Sequence, residues 1–183
     1  VEVQIYEAMS DDLLSALLKD EINFYIIPRD LKDLPSGLQT ECIYRENLYL
    51  IAAPGVVKEE DLADPIHNIV RDAFLRSQPF IPIKKGHAIR KKTDEIFRKK
   101  KISPMVSMEV SSCISAVQLA HSGLGITIVP SRALEALGGI DCFCRYQYGE
   151  IPDAWDVNVV YKKDSYLDRT ERGFIELLKS VFP

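Results

Sequence analysis

The stretch Glu109–Pro130, EVSSCISAVQLAHSGLGITIVP, decides how the rest of the chain is read. Residues Met105 to Val110 have the apolar character of a strand, and Ser111-Ser112 directly after it marks the start of a helix. Ile114, Val117 and Leu119 continue that helix, and Gly123 ends it. Gly125 opens a second strand, Ile126 to Val129, which Pro130 stops because proline cannot donate to the ladder. Strand, helix, strand in this order predicts a parallel crossover unit in an α/β protein. Gly123-Leu124-Gly125 runs from helix to strand, whereas a phosphate loop runs from strand to helix, so a dinucleotide fingerprint is excluded.

On the amino-terminal side, Phe80 to Ile83 reads as another strand, Lys84-Lys85-Gly86-His87 as a turn, and residues 88 to 100 as a helix. Its Ile89, Ile96 and Phe97 face inward. Residues 54 to 79 turn helical and charged, while Cys42-Ile43-Tyr44 and Leu48 to Ala53 read as two short strands separated by Arg45-Glu46-Asn47. The chain opens with the alternation of a half-buried strand, Val1, Val3 and Ile5. Ser10 is expected to cap a helix over 10 to 20, and Phe24 to Ile27 to form a fully buried strand ended by Pro28. Towards the carboxyl end, strands are expected at 140 to 144 and 155 to 161. An amphipathic helix from Asp168 to Phe182 closes the chain.

The 183 residues are 46% hydrophobic and 27% charged, the balance of a globular protein able to bury a core without staples. A net charge of −4, from 23 basic and 27 acidic residues, argues against a free-standing nucleic-acid binder, which needs a basic face. No apolar run approaches a membrane span and no leader is visible, so the expected location is cytoplasmic. The chain opens on Val1 and not Met, so its length is not read as that of the gene product.

Chemistry-bearing patterns are few. Cys42, Cys113, Cys142 and Cys144 fit no metal-ligand spacing, so reduced thiols are expected and no metal or cofactor is predicted. Cys142 and Cys144 should share one face of a strand. His67, His87 and His121 sit in no zinc or nucleophile motif, and no serine sits in a nucleophile elbow, so no catalytic residue is assigned. His121 falls in the last turn of a helix, where the dipole favours it. The basic run from 90 to 101 spreads over the solvent side of one helix with Asp94 and Glu95 interspersed. Two places remain. Ser111-Ser112 puts two hydroxyls and free N–H groups at a helix start where a plain cap needs only one hydroxyl. Lys84-Lys85 stands at the carboxyl end of a strand, the edge at which open α/β sheets bind ligands. Cys113, in the first helical turn, reads as a small buried hydrophobe before a reactive thiol.

The residues Gln78-Pro79-Phe80-Ile81, Gly86, Arg90 and the run from Glu109 to Pro130 resemble the effector-binding domain of LysR-type transcriptional regulators. The glycine joint and terminal proline are the most specific part. Val1 to Glu7, Leu13, Leu17, the strand at 24 to 28 and Thr40 to Pro54 are similar to the family's earlier elements. The resemblance thins at 55–78 and 138–154. Asp20-Glu21-Ile22-Asn23 departs from the family's usual Gly-x-Leu-Asp.

The resemblance implies a fold like type 2 periplasmic binding proteins: two Rossmann-like lobes, lobe I from 1–80 and 155–183 and lobe II from 81–154, with the first strand and helix of lobe I absent. It implies a cleft lined by Ala8, Met9, Ser10, Ile27 and Pro28 on one side and Ile83, Lys84, Lys85, Ser111, Ser112 and Ser131 on the other. The lysines and serines favour a small anionic effector. Implied partners are that effector, further copies of the chain in a homodimer or higher homo-oligomer, and DNA only through a winged helix-turn-helix outside this chain. A solute-binding protein of a transporter shares the fold and is the alternative; an enzyme on this scaffold ranks third. The cysteines lack the pairing of peroxide-sensing relatives.

Overall fold

In a computed structural model the chain is described over residues 3–28, 34–149 and 154–182. The elements, in chain order, are α1 (Ser10–Leu18), β1 (Tyr25–Pro28), β2 (Leu38–Ile51), β3 (Leu62–Asp64), β4 (Ile69–Val70), α2 (Asp72–Ser77), β5 (Pro79–Phe80) and α3 (Ala88–Lys99). They continue with β6 (Met105–Val106), α4 (Cys113–His121), β7 (Thr127–Pro130), α5 (Ser131–Glu135), β8 (Arg145–Tyr146), β9 (Ala154–Lys162) and α6 (Arg169–Val181). The chain divides into two compact units, one from Val1–Arg45 with Trp155–Pro183 and one from Glu46–Ala154. The change of unit at Arg45/Glu46 comes well before the boundary near residue 80 that the resemblance suggested. Residues 46–51 pair instead with β7, which carries the following segment into the second unit.

In the first unit β9 stands between β1 and β2, and β1 runs antiparallel to it with Tyr25 opposite Val160 and Ile27 opposite Asn158. One face packs Tyr25, Ile27 and Val160 against Leu17 of α1. A second cluster joins Ile43, Val159 and Tyr161 to Leu167, just before α6, and to Ile175 within it. The α6 start follows its sequence: Asp168 accepts from the Glu171 N–H at 2.8 Å, and Glu171 returns the favour to the Asp168 N–H at 2.7 Å. That reciprocal box satisfies two donors the helix leaves open.

Several expectations here are corrected. Residues 3 to 9 form no strand, and Val3, Ile5 and Tyr6 are exposed. The alternation is that of a strand, but no ladder partner lies beside it among the described residues; Val1 and Glu2 lie outside them. With that strand goes the expected first parallel crossover. Ser10 is the first helical residue and not the cap, a position Met9 takes without a side-chain bond. β1 is not buried throughout, since Ile26 is 40% exposed. The two short strands at 42–53 are one strand of 14 residues. Polar Glu46 does not interrupt it, because its carboxylate is bonded within the fold.

The second unit is built on parallel segments. β5 pairs with β6 in parallel, and bridges join Phe80 to Ile126 and Ile83 to Val110 in the same sense. On the far side, β7 runs antiparallel to β2, which also pairs with β8. Gly125 is required at the joint before β7. Its φ is +151°, and a Cβ there would sit 2.5 Å from the Pro79 carbonyl oxygen. Residues 54–77 are less helical than their charge pattern suggests. Glu59–Asp61 makes one 3₁₀ turn, β3 and β4 form a hairpin, and only Asp72–Ser77 is α-helical. Asp64 explains the hairpin: its carboxylate accepts from the N–H groups of Ile66 and His67 at 2.9 and 3.2 Å, closing the turn. The strand expected at 140–144 is a 3₁₀ turn at Ile140–Cys142 followed by β8, so Cys142 and Cys144 do not share a strand face.

Candidate functional site

The carboxyl edge of the parallel segments gathers the residues the sequence singled out in the second unit. Val110 donates to the Pro82 carbonyl at 3.2 Å, and the Lys84 N–H donates back to the Val110 carbonyl at 2.8 Å. This register sets Lys84 beside Ser111, at the point where α4 begins. One segment further across the sheet, β7 delivers Pro130 and Ser131 to the same edge, because Ile126 is bridged to Phe80. Lys84 and Lys85 are exposed, and neither forms an ion pair among the described residues.

Ser112 is the N-cap of α4, yet its side chain makes no capping bond. The helix start is therefore not closed by the Ser112 hydroxyl, and exposed Ser111 precedes it directly. Ser131 opens α5, whose next N–H, that of Arg132, is taken by the Glu46 carboxylate at 2.9 Å. Cys113 lies below this edge. Burial, with the nearby Glu46 charge second, pushes its thiol up to about 11, so it is an inert thiol at neutral pH.

Arg90 organises the edge from behind. Its Nη1 donates to the Ile83 carbonyl at 3.1 Å and to Glu109 Oε1 at 2.6 Å, while Nε reaches both Asp94 oxygens at 2.9 and 3.0 Å. Those carboxylates, Glu109 first, hold the guanidinium above its ordinary value. The side chain is only 12% exposed, so it ties α3 to the ends of two sheet segments. Two other cations of the basic run are also paired, Lys99 with Glu95 and Lys100 with Asp72. Sequence reasoning missed the role of Arg90 and Glu109 because 19 residues separate them. It missed Glu46 as well, whose only signal was a carboxylate inside an apolar strand.

The remaining predicted site residues belong to the first unit. Ala8 and Met9 are exposed immediately before α1, Ser10 begins it, and Pro28 ends β1. Ile27 is 4% exposed and Ile83 in the second unit 3% exposed, so both side chains belong to the core and offer a ligand only backbone. Among the described residues no group of three or more His, Cys, Asp or Glu is placed to hold a metal, and all four cysteines are free. No helix among the described residues is long and apolar enough to cross a membrane.

Comparison with known proteins fits this architecture. The regulatory domain of Synechocystis PCC6803 CcmR in complex with 2-PG superposes with a TM-score of 0.79 at 20% identity, over 98% of this chain and 83% of that one. A mutant of OxyR from Porphyromonas gingivalis gives 0.77 at 20% identity, over 100% and 80%. HinK, a LysR family transcriptional regulator from Pseudomonas aeruginosa, gives 0.77 at 15%, over 98% and 60%. These likenesses establish the fold, the type 2 periplasmic-binding-protein-like arrangement of LysR regulatory domains. In sequence, 56 residues are 38% identical to the uncharacterized HTH-type transcriptional regulator YybE of Bacillus subtilis (strain 168), covering 31% of this chain and 19% of that protein. The sequence model described as LysR substrate binding domain matches residues 1–183 from end to end. The chain belongs to the LysR substrate-binding domain family.

Proposed function

We propose that this domain senses a small anionic metabolite at the edge formed by Lys84, Lys85, Ser111, Ser112 and Ser131. The observation that carries the reading is the hydrogen bond from the Lys84 N–H to the Val110 carbonyl, which brings the backbone of Lys84 beside a helix start that no serine side chain caps. Cations, hydroxyls and oriented N–H groups together recognise a carboxylate or phosphate and discriminate against neutral compounds.

Binding that differs in strength between two arrangements of the domain shifts the population between them. In a full regulator that shift is relayed to a winged helix-turn-helix carried elsewhere in the protein, and the domain itself does no chemistry. The protein acts as a homodimer in the cytoplasm and reaches DNA only through that other domain. The complex of CcmR with 2-PG supports a ligand-holding role for a domain of this fold.

Mass spectrometry of compounds retained by the purified domain, followed by a thermal-shift screen of anions and neutral analogues, tests the reading. Anions should raise the melting temperature, and Ser112→Ala and Lys84→Ala should each remove the shift. Stabilisation by neutral ligands alone, with both variants silent, would overturn it.

A further inference from the structure

A cavity of about 480 Å³ lies on the second unit where the β3–β4 hairpin meets β8, away from the lysine–serine edge. Tyr49, His67, Asn68, Phe143, Arg145 and Gln147 contribute to its lining. The strand register explains its chemistry. Arg145 pairs with Ile51 across the β2–β8 ladder, and Tyr49 is two residues from Ile51, so the guanidinium and the phenol ring are diagonal neighbours on one face. The guanidinium carbon lies 5.8 Å from the ring centroid. Its Nη1 donates to the Ile140 carbonyl at 3.2 Å and to Asp141 at 2.8 Å. Nε and Nη2 have no protein partner among the described residues. One side of the fork is thus anchored and the other offered.

The walls are fixed before any ligand arrives. Gln147 donates to the Asn68 carbonyl at 2.8 Å, and Val70 donates to the Gln147 carbonyl at 2.8 Å, locking the hairpin to the strand after Tyr146. Asn68 takes a left-handed φ of 54° at the tip of that hairpin, a conformation asparagine tolerates better than most residues. His67 is held by Asp64 through Nδ1 at 2.7 Å, which leaves Nε2 free to face a ligand. The Phe143 ring is braced edge-on against His121, centroids 5.3 Å apart. Preorganised aromatic walls with one half-free guanidinium lose little freedom on binding.

We infer that this cavity is a second small-molecule site, one that takes a planar aromatic monocarboxylate. The carboxylate meets the free edge of Arg145 and the ring lies against the aromatic walls. A purely apolar guest would strip water from unpaired guanidinium N–H groups, which is costly. A polyanion would meet the Asp141 carboxylate bonded to Arg145 and the Asp64 carboxylate bonded to His67, so a single negative charge matches best. The inference stands apart from the effector reading, because it shares no residue with the lysine–serine edge.

Titration of the labelled domain with benzoate, and in parallel with neutral benzamide, followed by backbone amide shifts, tests it. Benzoate should give saturable shifts centred on Asn68, Arg145 and Gln147. Arg145→Gln should weaken benzoate by at least about fivefold while changing benzamide by less than about twofold. Ser112→Ala should leave benzoate binding unchanged. If Arg145→Gln does not fold, Arg145→Lys keeps the charge without the fork and should give a smaller loss. Absence of saturable shifts overturns the inference, as do shifts centred on Lys84 and Ser112 or a benzoate affinity indifferent to both Arg145 variants.

Discussion

The carboxylate of Glu46 accepts a hydrogen bond from the Arg132 N–H at 2.9 Å, linking residues 86 apart in the chain. Glu46 is 5% exposed, so an acid in the middle of β2 anchors the start of α5 beside Ser131. Glu46→Ala should lower stability by about 2 kcal/mol, the cost of leaving a buried donor unsatisfied, as measured by urea unfolding. Glu46→Gln should recover much of that loss, since its amide oxygen still accepts.

The same carboxylate acts on Cys113. With its thiol at about 11, Cys113 should be largely protonated even at mildly alkaline pH and should alkylate far more slowly than exposed Cys142. Glu46→Gln removes the secondary cause and should quicken alkylation of Cys113 with iodoacetamide. The change should be modest, because burial is the larger cause. Peptide-resolved mass spectrometry against time would measure it.

Acid sensitivity should concentrate in the first unit. The Tyr161 hydroxyl first, with Lys179 and Arg172, holds Glu41 at about 2, well below the ordinary 4.5. A carboxyl lowered on folding contributes stability that is complete above its unfolded value and is lost as pH falls. Stability supplied by this cluster should therefore decline between about pH 4.5 and 2. Glu41→Gln should reduce stability at neutral pH and flatten the acid limb of the unfolding curve, followed by circular dichroism.

Gly125→Ala should be among the more damaging single substitutions. The added methyl meets a backbone oxygen at 2.5 Å, which no rotamer change can relieve, and φ is already one that side chains disfavour. A loss of roughly 2–3 kcal/mol in urea unfolding is expected. Gly139→Ala is the comparison: φ is +120° there but nothing lies within 4 Å, so only the backbone penalty remains and the loss should be smaller.

Arg90→Lys should separate position from charge. Lysine keeps the cation but cannot bond Ile83, Glu109 and Asp94 together, so the ends of two sheet segments lose their common tie. Anion binding at Lys84 and Ser112 should weaken with only a small fall in melting temperature. Calorimetric titration with an anion found by the thermal-shift screen would detect it.

The parts legible from sequence are those whose causes are local. Asp168 and Glu171 announce α6, Pro130 stops β7, and the crossover through Ser111-Ser112 puts a helix start at a sheet edge. What escaped has a distant cause. The alternation at Val3 and Ile5 describes a strand only if a neighbour receives it. Glu46 reads as a break in β2 until its carboxylate finds Arg132. The acidic run at Glu59–Asp61 resembles a helix start, but the Asp61 carboxylate bonds the Lys58 N–H at 2.9 Å and closes a single turn. Arg145 gave no signal, because its meaning comes from the strand opposite.

The central place of β9 in the first unit has a consequence for how the protein is made. β1 and β2 leave the ribosome long before residues 154–162, the strand that lies between them. The second unit, continuous from Glu46 to Ala154, is complete at that moment and can fold as it emerges. β1 and the first part of β2 must wait for residues 154–162 before the strand that lies between them exists. The emergence of β9, and not of the elements beside it in sequence, is what lets this half take shape.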